Sequence, residues 1–132
     1  MLVRDDRLVC ANVGDSRALL IRKGRGVELT VDHRPVGTSS KGRQEMQRVV
    51  NAGGWSVGGR VCGILAVSRA FGDYEFKGGR FDLLEDLSEE PLAKKATLKD
   101  PPVVPTPDVL EIQREVDNDE WLVRFFYGNW TV

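Results

Sequence analysis

The chain has 132 residues, 41% of them hydrophobic and 30% charged, enough apolar material for one domain with its own core. Its 19 Lys and Arg stand against 20 Asp and Glu, a near balance that argues against a nucleic-acid surface or a polybasic membrane anchor. No apolar run approaches the ~20 residues of a membrane helix, and the opening Met-Leu-Val-Arg-Asp-Asp-Arg puts charges where a signal peptide needs an apolar stretch.

Leu8 to Val13 is rich in strand formers, Gly14-Asp15 interrupts it, and Arg17 to Arg22 reads as a second strand. The two are expected to pair antiparallel across a short Gly-Asp-Ser turn. Lys23 to Gly26 reads as another turn and Val27 to Val31 as a third strand, giving a meander that needs a cover on one face. Gly37 to Ser40 is a small, polar loop. Ser40 is expected to cap a helix over Lys41 to Asn51, with Met46, Val49 and Val50 as its apolar stripe and Gly53-Gly54 as a left-handed stop. Trp55 to Val57, Gly58-Gly59 and Arg60-Val61 suggest a hairpin.

Ile64 to Val67 reads as one short buried strand that ends at Ser68-Arg69, with Gly72-Asp73 forming the corner beyond. From Tyr74 to Asp100 acidic and basic clusters alternate, which predicts a solvated loop or surface helix, with Leu83, Leu84 and Leu87 on one side. Pro101, Pro102, Pro105 and Pro107 mark a return to structure. Asp108 to Glu115 alternates as a half-exposed strand does, and Glu120 to Phe126 reads as a final strand. Cys10 and Cys62 both lie in apolar runs and read as buried thiols of a reducing compartment, not a disulfide. A single histidine without a Cys-x-x-Cys pair speaks against structural zinc.

The chemistry-bearing positions are few. Asp15 sits in a turn between two strands, where Gly14 relieves the backbone; it is either a turn aspartate bonding the amides that follow it or a ligand for a hard divalent cation. Arg60 is either a surface hairpin arginine or a forked donor to an anion.

Several stretches follow one another in order: Ala11-Asn-Val-Gly-Asp-Ser-Arg-Ala18, Asp32-His-Arg-Pro35, Glu45 and Arg48 ahead of Ala52-Gly53-Gly54, and Val61 and Gly63 leading into Leu65-Ala-Val-Ser-Arg-Ala-Phe-Gly-Asp73. This series resembles the metal-dependent, type 2C (PPM-type) serine/threonine protein phosphatases. The match is dense over residues 8–77, gives way to a charged segment over 78–101, returns as strands over 102–123 and diverges over 124–132. The resemblance implies an α+β fold, part of an α-β-β-α sandwich of antiparallel sheets with flanking helices. It implies Mg or Mn as the metal and phosphoserine and phosphothreonine proteins as substrates, with no nucleic-acid or membrane partner and an intracellular, cytoplasmic or nuclear, location.

By the same resemblance Asp15 would flank the metal centre and hold an accessory ion, and Arg60 would lie on a flap beside the substrate. Gly14, Ser16, Arg17, Gly53, Gly54, Gly63, Ser68, Arg69, Gly72 and Asp73 would be structural motif positions. His33 matches the Asp-His-x-Pro element, not the family's catalytic histidine, and no catalytic residue is assigned. The family's N-terminal acidic pair and Asp-Gly-His-Gly segment do not occur, and Tyr127 and Thr131 stand where two metal-binding aspartates are expected. A phenol cannot replace a carboxylate on Mg. The sequence therefore predicts a phosphatase segment without turnover of its own; the alternative is a catalytically silent, phosphatase-like binding or regulatory module.

Overall fold

The structure, a computed structural model, describes residues 1–77 and 84–125, of which 121–125 are described by backbone alone. They form two compact units: one from Met1–Asp32 and the chain from Pro107 onward, the other from His33–Thr106.

The first unit contains two three-stranded antiparallel sheets. One has the order β1 (Leu2–Val3), β2 (Arg7–Asn12), β7 (Asp108–Gln113); the other has the order β4 (Arg25–Glu28), β3 (Arg17–Arg22), β8 (Asp119–Phe125). Strands bury alternate residues on one face. Leu8 and Cys10 from β2 accordingly meet Ala18 and Leu20 from β3, with Leu29 and the half-buried Ile112 closing the cluster. The core of this unit is the space between its sheets.

This arrangement corrects the expected hairpin. β2 and β3 do not pair with each other: β2 runs against β7, from Arg7 opposite Gln113 to Asn12 opposite Asp108, and β3 against β4 and β8. The segment around Gly14 (φ 96°) is thus a corner that takes the chain from one sheet to the other. A hairpin turn and such a corner both need a residue at positive φ, so the local signal is the same. The choice is made by partners about a hundred residues away.

The β3–β4 hairpin does form, but tighter than expected. Lys23 (φ 52°) and Gly24 (φ 69°) are a two-residue turn whose positive φ values match the strand twist, so the next strand starts at Arg25 instead of Val27. Beside this turn Arg22 donates a fork to Asp119 (2.6 and 3.1 Å), one bond to Glu115 Oε1 (3.0 Å) and one to the Gln113 carbonyl (2.9 Å). These bonds fasten β3 to the β7–β8 connection.

The second unit is built on α1 (Ser40–Asn51). Its cap is Ser39, one residue earlier than expected: extended backbone there lets Oγ accept from the Gly42 amide at 2.9 Å. At the other end the Gly53 amide bonds the Val50 carbonyl and the Gly54 amide the Val49 carbonyl, a Schellman closure with Gly53 at φ 87°. The buried face is Gly42, Glu45 and Val49; Val50, assigned to the apolar stripe by sequence, is 48% exposed. Val49 packs with Val61, Cys62, Phe76, Leu98 and Val103, and Leu84 and Leu87 lean on the same cluster; Leu83 lies outside the described residues. Burial pushes the Cys62 thiol up in pKa.

β5 (Ser56–Val57) and β6 (Arg60–Val61) form the expected hairpin around Gly58 and Gly59, both at positive φ. The expected strand over Ile64–Val67 is absent. Cys62 (φ 51°) and Gly63 (φ 76°) turn the chain back at once, so Leu65 makes a single bridge to Val61 and Arg69 a single bridge to Val104. Ile64 is about half exposed. Four apolar residues were too few to extend a ladder past that reversal.

Gly53, like Gly42, leaves no room for a side chain in the second unit. A Cβ on Gly53 would lie 1.9 Å from the Thr97 carbonyl oxygen, on a backbone that L residues avoid. Gly53→Ala is expected to destabilise the chain by at least about 2 kcal/mol, read from urea unfolding; an unchanged midpoint would contradict this packing.

Candidate functional site

Asp15 is half-buried in the corner between β2 and β3. Two features shape that corner. The buried Asn12 side chain donates to the Gly14 carbonyl (3.2 Å) and lies 3.5 Å from the Val31 carbonyl. Beyond it, Arg17 forks onto Asp32 through Nε (2.8 Å) and Nη2 (2.7 Å). The Ala18 amide donates to Thr30 Oγ1 and the Leu29 amide to the Ala18 carbonyl, so the stretch before Asp32 stays beside β3. The motif positions Gly14, Ser16 and Arg17 thus frame Asp15. Asn12 and Asp32, absent from the sequence-derived site residues, do as much of that work. A polar residue in phase with Leu8 and Cys10 on a buried strand face was the signal for Asn12.

Two divalent ions need several oxygens converging. Among the described residues, no three His, Cys, Asp or Glu side chains converge to hold a cation. Asp15 therefore presents its carboxylate without such a cage around it, and the described residues do not fit a metal pair. Tyr127 and Thr131 lie outside them.

Arg60 belongs to β6 and donates through Nη1 to the Ile64 carbonyl at 2.7 Å. That bond fastens it across its own turn, and the residue is exposed. Gly63 supplies the positive φ of the turn, and Asp73 (φ 58°) precedes a single 3-10 turn over Tyr74–Phe76. Gly72 needs no special φ.

The remaining motif residues of the second unit meet at Glu45. This carboxylate is 1% exposed, in the middle of α1. Arg69 donates to Oε1 through Nη2 (2.5 Å) and spans both oxygens through Nε (3.1 and 3.2 Å); Ser68 Oγ donates to Oε2 at 2.7 Å. Arg48 Nε adds a longer bond at 3.4 Å and Lys41 an ammonium at 3.7 Å. The donors are themselves tied down. Ser68 is wholly buried and donates its amide to the His33 carbonyl (2.8 Å); its Oγ, whose one proton goes to Glu45, lies 3.0 Å from the same carbonyl. Arg48 Nη2 reaches the carbonyls of Ser68 (2.5 Å) and Pro102 (3.1 Å), and Arg69 Nη1 that of Thr106 (3.0 Å). His33 is buried and supplies its carbonyl to this network.

Burial alone would push the Glu45 pKa up. The bonds from Arg69 and Ser68 and the charges of Arg69 and Arg48 outweigh it and hold the carboxyl at about 2. Arg48 shows the converse balance: its own burial lowers it, against the pull of Glu45. The cluster consists of a carboxylate saturated by donors, so it has no lone pair left for a substrate. It is a structural clamp, and it brings Glu45, Arg48 and Ser68-Arg69, far apart in the chain, to one place.

A family model described as Protein phosphatase 2C matches residues 1–124. This chain belongs to the protein phosphatase 2C family. It is 42% identical to Protein phosphatase 2C 57 of Arabidopsis thaliana over 98% of its own length and 34% of that protein's. It is 36% identical to protein phosphatase ppm-1.G of Caenorhabditis elegans over 98% of its length and 22% of that protein's. Among solved structures, a Toxoplasma gondii phosphatase superposes with a TM-score of 0.57 at 25% identity, over 81% of this chain and 26% of that one. The chain thus spans about a third or less of these phosphatases, and its antiparallel sheets with few helices are part of their α+β architecture.

The sign of the Glu45 effect is fixed. Its folded pKa lies below the unfolded value of 4.5, so its contribution is complete above about pH 4.5 and is lost as pH falls toward about 2. The amount is on the order of 3 kcal/mol. Glu45→Gln is expected to lose about 3 kcal/mol at neutral pH, because two arginines are left without their counter-charge. It is also expected to flatten the stability profile over that acid range in urea titrations. A wild-type profile that is already flat there would overturn the assignment.

Proposed function

We propose that this chain is a segment of a Mg- or Mn-dependent protein serine/threonine phosphatase and that the segment alone does not hydrolyse phosphate esters. Membership of the family supports the first part. The observation that carries the second is the lack, among the described residues, of three converging metal-ligating side chains. In this reading the segment contributes scaffold: a two-sheet core, the Glu45 clamp and the corner that presents Asp15. A bound divalent pair would supply the activated water and the charge that braces a phosphoryl group. Asp15 is the residue here assigned to an accessory ion, and the exposed NH groups of Arg60 are suited to a phosphate or acidic side chain of a phosphoprotein.

The partners are phosphoserine and phosphothreonine proteins. The near-neutral charge does not favour nucleic acid, and among the described residues no helix is long and apolar enough to cross a membrane. An intracellular site fits two buried thiols. The same lack of a ligand cluster favours a second reading, a catalytically silent module that keeps a phosphatase-like surface for binding.

The purified 132-residue chain is expected to show no turnover of an aryl phosphate or a phosphothreonine peptide with saturating Mn. Metal-dependent, chelator-sensitive turnover would refute the second half of the proposal. Residues 1–123 grafted in place of the matching stretch of the Arabidopsis relative are expected to sustain turnover. A folded graft that is inactive would favour the silent module.

A further inference from the structure

The loop after the Ser68-Arg69 clamp carries a second arrangement of donors and acceptors. The Lys77 ammonium donates to three successive carbonyls, those of Ala70 (2.7 Å), Phe71 (2.6 Å) and Gly72. An ammonium has three N–H donors and no acceptor, so this set saturates it. The Tyr74 ring adds its face, with its centroid 6.0 Å from Nζ, at the outer reach of a cation–π attraction.

What this holds is otherwise loosely tied. Ala70 bonds Val104 through its amide at 3.2 Å, and Phe76 is buried in the core. Between those anchors, among the described residues, the backbone bonds are local: the Phe76 amide to the Asp73 carbonyl and the Lys77 amide to the Tyr74 carbonyl. Phe71 and Tyr74 are 76% and 77% exposed, so their rings give the loop no buried apolar anchor. Asp73 holds a positive φ, which by itself favours leaving that conformation. The three carbonyl oxygens converge on one point and would also repel one another if nothing positive lay between them.

We propose that the carbonyls of Ala70, Phe71 and Gly72 form a cation site for one compact ammonium, filled in cis by Lys77. Its occupancy sets the conformation of the 70–77 loop and so the presentation of the exposed Phe71 and Tyr74 rings. The site takes a primary ammonium in preference to a guanidinium, whose planar fork cannot place three N–H groups on three carbonyls on one side of a turn. It also excludes a quaternary ammonium, which has no N–H to donate.

Amide exchange on the 132-residue chain tests this, with the amides of Val49 in α1 and of Ala52, its C-cap, as the internal control. Lys77→Ala is expected to speed exchange at the amides of positions 76 and 77 about tenfold while the control amides hold. Ethylammonium, supplied at roughly tens of millimolar to offset the lost effective concentration, is expected to restore much of the protection. Tetramethylammonium at the same concentration is expected to do nothing, and Lys77→Arg to protect only in part. Unchanged exchange in Lys77→Ala, or equal rescue by both ions, overturns the proposal.

If the substitution unfolds α1 as well, the unmodified chain decides. Its Lys77 ammonium is expected to show through-bond nitrogen couplings to the carbonyl carbons of residues 70–72. An ammonium signal that exchanges with water as fast as those of the exposed Lys94 and Lys95 overturns it.

Discussion

A carboxylate in the dry middle of a helix face is tolerable only when its charge is met from several directions. Glu45 meets that condition through Arg69, Ser68, Arg48 and Lys41, which come from its own helix and from the loop at 68–69. Without them burial would cost several kcal/mol. With them the carboxylate becomes a template: Ser68 is held against His33, Arg48 against Pro102, and Arg69 against Thr106. Among its described residues the irregular chain from His33 to Thr106 has few ladder bonds, so this clamp and the apolar cluster around Val49 do the organising that sheets do in the first unit.

The first unit is ordered by a different constraint. Two sheets need their apolar faces against each other, and the corner at Gly14 is where the chain changes sheet. Asn12 and the Arg17–Asp32 fork hold that corner, which presents Asp15 in a fixed place. Function-bearing residues in such a design sit on corners and loops, and the strands behind them supply rigidity.

The local devices share a logic. At Ser39, at Gly53-Gly54, at Arg60 and at Lys77, carbonyls or amides with no helix or strand partner are satisfied by one side chain or by a left-handed residue. Each is short-range, so each can be written into a few consecutive residues.

That is also the measure of what could be read in advance. The family, the helix with its glycine stop and the hairpin at Gly58-Gly59 depend on neighbours within a few positions, and the sequence by itself determined them. Tertiary structure alone decided that β2 and β3 part company, because their partners arrive from residues 108–125. It alone turned Ile64–Val67 into a bend, through positive φ at Cys62, a residue whose type gives no hint of it. Glu45 looks from its neighbours like a surface charge. Only the return of Ser68 and Arg69, more than twenty residues later, lets a carboxylate sit on the buried face of α1, since a charge can leave water only when its partners are already in place.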